Sequence, residues 1–126
     1  MDKFFNILTY IIGFLFLLMG LQWLFDPGSA AAGLGMNLLS DHGLSTQIGD
    51  LASFFLVVGV FTLCAAVKKN KVWLYTPIAL FSFAAVSRII AFLFHDAALS
   101  TDKILVELVL AGFLFFLVNR KEKSFS

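Results

Sequence analysis

Charge is scarce in this sequence, and its placement says more than its amount. Asp, Glu, Lys and Arg make up 13% of the 126 residues, hydrophobic residues 60%, and mean hydropathy is +0.95. Soluble domains carry about a quarter charged residues, so a soluble globular class is excluded and an integral membrane protein is expected. A single cysteine, Cys64, excludes an intrachain disulfide framework and any CxxC redox or zinc pair. In its apolar run it reads as a small packing residue. The net charge of +1 leaves no basis for general nucleic-acid affinity. The two-residue alternation of barrel strands is also missing, which leaves helices to satisfy the backbone in lipid.

What is present is four apolar stretches, about 4–25, 50–67, 73–95 and 102–119, each near the roughly 20 residues that cross 30 Å of hydrocarbon. The expected architecture is all-α: an integral membrane four-helix bundle, one domain over 1–126, with a long loop over 26–49. Lys3 before the first stretch and Ser29-Ala30-Ala31 after it imitate a signal peptide. The apolar core exceeds the usual 7–15 residues, however, and the helix is expected to be retained. Asp26-Pro27 is a cap followed by proline, predicting a short surface helix that Gly33 and Gly35 end. Met36 to Gly49 is too short and too polar to span, and is expected to lie at the interface or cap the bundle.

Lys3, Lys68, Lys69, Lys71, Arg120, Lys121 and Lys123 fall on one side of a four-crossing chain. The positive-inside rule makes that side cytoplasmic, so N-terminus and C-terminus are both expected there, in the cell (inner) membrane. The other side receives Asp26, Asp41, His42, His95, Asp96 and Asp102, with Lys103 as its cation.

Arg88 stands inside the apolar run Phe81–Phe94. Helical spacing puts Ala84, Ala91 and His95 on its face. Small neighbours mark a helix-packing face, and a lipid-facing arginine costs about 2.5–3.5 kcal/mol, so the guanidinium is expected to point inward. Counting along the helices sets Asp50 and Glu107 near its level, with Ser53 beside the first and Gln22 and Asp26 within reach from the first helix. The candidate ligand-binding set is therefore Arg88, Glu107, Asp50, Gln22, Asp26, Ser53, His95 and Asp96. One arginine between two carboxylates sums to −1, which invites a proton or a further cation or donor. The plainer reading is a salt-bridge network that fixes helix register. His95-Asp96 reads first as polar residues at a helix end, because adjacent residues on a helix do not face each other. Two histidines without a cysteine pair are weak ligands for zinc or haem, and no metal is expected.

Thr9, Gly13 and Gly20 share one stripe of the first helix, suited to close packing against a neighbouring helix or another copy of the chain. Sixteen phenylalanines supply bulk. No cofactor is evident, although a quinone slot among the aromatics can be envisaged.

The helix exit Trp23-Leu24-Phe25-Asp26-Pro27, Gly49-Asp50 with Gly59 beyond it, Arg88 followed by His95-Asp96, and Glu107 together resemble the DoxX-like superfamily. The likeness is to its small DUF4345-type members and covers most of the chain. It implies a four-helix membrane bundle with a polar site around Arg88 and Glu107. The family pattern has an arginine and paired glycines entering the second helix, where Gln47-Ile48-Gly49-Asp50 stands here. The superfamily is functionally mixed, including quinone-linked oxidation subunits and assembly factors.

The expected function is a small integral membrane protein with a polar pocket in the outer leaflet half, binding a small polar or amphipathic ligand or a partner membrane protein. Alternatives are a non-catalytic or quinone-linked subunit of a membrane oxidoreductase, and a structural membrane homo-oligomer. The expected partners are the lipid bilayer and a homo-oligomer or partner membrane protein, and activity as an enzyme on its own is not favoured.

Overall fold

The computed structural model describes residues 2–120; Lys121 and Lys123 lie outside the described residues. The chain is all-helical: α1 (Asp2–Phe25), α2 (Pro27–Gly33), α3 (Asp41–Lys68), a 3-10 turn (Lys71–Leu74), α4 (Tyr75–Phe94) and α5 (Thr101–Asn119). Three segments, Lys3–Phe25, Asp41–Lys68 and Lys71–Phe94, are long and apolar enough to cross a membrane, the pattern of a multi-pass membrane protein. α5 has 19 residues but carries Asp102, Lys103 and Glu107 in its first two turns, which separates it from the other three.

α1 and α3 pack antiparallel along a glycine seam. A Cβ on Gly13 would meet the Leu63 side chain at 2.7 Å, one on Gly20 the Leu56 side chain at 2.7 Å, and one on Gly59 the Leu17 backbone nitrogen at 2.5 Å. Only hydrogen fits at such an approach, as close helix packing in membranes requires. Thr9 completes the expected stripe; it is fully buried, and its hydroxyl donates to Phe5 O at 2.8 Å.

The largest departure from expectation is the start of α3. It begins at Asp41, nine residues before Asp50. Asp41–Gly49 is too polar to span but is amphipathic: Leu44, Gln47, Ile48 and Leu51 recur at helical spacing and turn inward, so the helix continues past the apolar run. At 1.5 Å per residue its 28 residues reach about 42 Å, well beyond a 30 Å hydrocarbon core.

The connection from α1 to α3 is folded, not loose. The Asp26 carboxylate accepts from Ser29 N at 3.4 Å and caps α2, and Gly35 (φ +72) turns the chain out of it. α2 is more than a surface helix, since Ala30 and Ala31 are buried with Trp23, Ala52 and Phe55. Buried Gln47 then clamps the non-helical strap 36–40 that follows α2: its Oε1 accepts from Leu39 N at 2.9 Å and its Nε2 donates to Asn37 O at 3.1 Å.

α4 and α5 form the second antiparallel pair. Val58, Ala65, Leu74, Phe81, Ala111, Leu114 and Leu117 close the core between the pairs toward the end that carries Lys3, Lys68, Lys69 and Lys71, here the basic end. There the Arg120 guanidinium lies 4.5 Å from the Phe5 ring centroid and 5.5 Å from that of Phe116, joining α1 to the end of α5.

Candidate functional site

Toward the opposite, acidic end the two helix pairs do not close on each other. Between them lies a cavity of about 450 Å³. Its floor is aromatic. Phe16 of α1, Phe54 and Phe55 of α3 and Phe81 of α4 are in ring contact, with centroids 5.2–6.0 Å apart. Its sides are Met19, Leu34, Leu51, Ala84 and Val106, and its polar rim is Arg88 of α4 with Asp102, Lys103 and Glu107 of α5. One polar edge on an apolar pocket is the usual composition of a small-molecule site, where apolar walls give affinity and a few polar groups fix orientation.

Arg88 and Glu107 meet as their sequence positions imply. Arg88 Nε donates to both carboxylate oxygens, at 3.0 and 3.1 Å, with side-chain exposures of 36% for Arg88 and 11% for Glu107. Ala84, one turn before Arg88, lines the same cavity, so the small-residue face does turn inward. Lys103 is half-buried at 30% side-chain exposure, and its Nζ lies 3.8 Å from a carboxylate oxygen of Asp102, itself 82% exposed.

The other expected site residues stand elsewhere. Asp50 is exposed and lines a separate, more open depression with His42, Thr46 and Gln47; its expected place beside Arg88 is corrected. Ser53 is exposed too. The buried arc of α3 runs through Gln47, Ala52, Phe55, Val58 and Gly59, and at 100° per residue Asp50 and Ser53 fall on its far side. The azimuth of α3 is what turns Asp50 away from Arg88. Gln22 fails for the same reason, being exposed opposite the Thr9–Gly13–Gly20–Trp23 face of α1. Asp26 is occupied in capping α2. His95 is the exposed residue that ends α4, its N–H donating to Ala91 O at 3.0 Å, and Asp96 follows in the left-handed region at φ +59. Neither reaches the cavity lining. Among the described residues no group of three or more His, Cys, Asp or Glu converges as a metal site would need.

Lys103 was missed as a site residue, although the signal was present. It precedes Glu107 by four residues, which puts the two on one face of α5. Gln47 was likewise read as a departure from a motif and not as a buried clamp.

A bundle with three membrane-length helices and an aromatic pocket rimmed by an arginine–glutamate pair defines a small multi-pass membrane protein with a candidate binding cavity. The chain belongs to the DUF4345 family, a domain of unknown function, whose model matches residues 4–118. No curated protein and no solved structure matches it.

Proposed function

We propose that this protein is a four-crossing membrane protein, with both termini cytoplasmic, whose cavity in the outer half of the bilayer binds a small amphipathic ligand. The segregation of Lys3, Lys68, Lys69, Lys71 and Arg120 from Asp41, His42, Asp96 and Asp102 supports the orientation through the positive-inside rule. Arg88 stands roughly 20 Å along α4 from Tyr75, which sets the polar rim in the outer half on this orientation. The inner membrane of a cell is the location that fits.

The observation that carries the reading is the cavity itself, about 450 Å³ with phenylalanines at one end and Arg88, Lys103 and Glu107 at the other. That volume lies within the roughly 300–1,000 Å³ of small-ligand pockets. A pair that served only to fix helix register needs no such space beside it.

The test is mass spectrometry of small molecules that co-purify with the full chain, compared with an Ala84→Phe variant that fills the cavity. A retained amphiphile that disappears in the variant supports the pocket. If the two proteins retain the same molecules in the same amounts, the pocket reading fails.

A further inference from the structure

We infer that the ligand's head group is a carboxylate, borne on a single apolar chain and gripped by the unengaged edge of Arg88 with help from Lys103. This rests on the pocket reading above and sharpens it to one chemical class.

The first observation is the way Glu107 holds Arg88. Both carboxylate oxygens converge on Nε, and among the described residues no hydrogen bond to Nη1 or Nη2 accompanies it. A guanidinium carries five N–H donors in a rigid fork, so four remain on a side chain that lines the cavity. Glu107 thus acts as a positioning residue. It fixes the plane of the guanidinium and leaves the edge formed by the two terminal nitrogens for an acceptor. A flat acceptor with two oxygens fits that edge with two parallel hydrogen bonds, which is carboxylate geometry.

The second observation is the charge around the cavity, which differs from the sequence-based expectation. Arg88 with Asp50 and Glu107 would have summed to −1. The structure removes Asp50 and brings in Lys103 and Asp102, so the four charged groups of the rim sum formally to zero. Their shielding is unequal: the Asp102 side chain is 82% exposed and stands 3.8 Å from Lys103 Nζ, whereas those of Arg88, Lys103 and Glu107 are 36%, 30% and 11% exposed. Water screens the exposed carboxylate most, which leaves two cations beside one sheltered carboxylate. That arrangement accepts a monoanion, while a dianionic phosphate monoester would overshoot it.

The third observation is what lies below the head. The floor of Phe16, Phe54, Phe55 and Phe81 offers aromatic surface against which a hydrocarbon chain is buried without leaving any polar group unpaired.

The experiment uses the full chain in nanodiscs of zwitterionic lipid and measures saturable binding of radiolabelled decanoate. Competition is with unlabelled methyl decanoate, decyl phosphate and decyltrimethylammonium. Decanoate is expected to bind at one per chain, with methyl decanoate and decyltrimethylammonium at least about ten-fold weaker, as loss of a charge-assisted bidentate contact implies. Lys103→Gln should weaken decanoate about three- to ten-fold. Because Lys103 lies outside the Arg88–Glu107 pair, this arm survives even if Arg88→Gln fails to accumulate; where Arg88→Gln does accumulate, saturable binding should be lost. Equal competition by the methyl ester, or unchanged affinity in Lys103→Gln, overturns the carboxylate while leaving the pocket standing. Displacement by decyl phosphate at lower concentration than by decanoate itself also overturns it, in favour of a phosphate head. If no amphiphile binds saturably and Ala84→Phe alters nothing, the pocket reading falls as well.

Discussion

The α1–α3 seam and the α4–α5 contact do the same task, joining two antiparallel helices, by opposite means. Along the first, glycine lets the backbone of one helix rest on the other: Gly59 meets Leu17, and Gly13 and Gly20 meet Leu63 and Leu56. At the acidic end of the second, the helices are bridged by a long arginine that reaches a glutamate. Close backbone approach leaves no room between helices, whereas a side-chain bridge holds them together while leaving space beside it. The seam is where the molecule is closed, and the bridge is where the cavity opens.

The sharpest way to break this contrast is Gly59→Leu. A Cβ there would sit 2.5 Å from backbone nitrogen and 2.7 Å from backbone Cα, neither of which can rotate away. The expected cost is about 3 kcal/mol, the upper range for overpacking, seen as a large fall in the melting temperature of the purified protein. Unchanged melting would mean that α1 and α3 are not in this register.

Glu107→Ala should cost less, about 2 kcal/mol. Removing one partner of a fully buried pair costs roughly 3–5 kcal/mol, but the Arg88 side chain is 36% exposed, and solvent takes up part of its charge. Thermal unfolding in detergent measures this, and a cost as large as that of Gly59→Leu would show the bridge to be as rigid an element as the seam.

The smallest effects lie toward the acidic end of α3, where two polar residues three positions apart differ. Gln47→Ala loses two hydrogen bonds to the strap, at Leu39 N and Asn37 O, and should cost about 1–2 kcal/mol with faster amide exchange over 36–40. Asp50→Asn, on the exposed side, should stay within about 0.5 kcal/mol of the parent. A larger loss in Asp50→Asn would return that carboxylate to the polar site.

Much of this was legible in the residues. Apolar run length located α1, α4 and α5, Asp26-Pro27 with Gly33 and Gly35 located α2, and Arg88 with Ala84 one turn away pointed to an inward face. The start of α3 was misplaced because run length reports what lipid tolerates, while helix continuation depends on periodicity, and Leu44, Gln47, Ile48 and Leu51 keep the period past the apolar stretch.

By itself the sequence determined the apolar character of the chain and, the start of α3 aside, where its long helices lie, because hydropathy and run length need no knowledge of neighbours. Beyond the Arg88–Ala84 face, azimuth, the way each helix is turned about its own axis, was decided by the tertiary structure. That rotation is set by how glycines and phenylalanines on different helices fit one another, and it sends Asp50, Ser53 and Gln22 outward while bringing Lys103 to the cavity rim. A residue's depth is a property of its own chain segment, but its partners are a property of the packing. For that reason the arginine and its glutamate were visible early, while the place of Lys103 beside them was not.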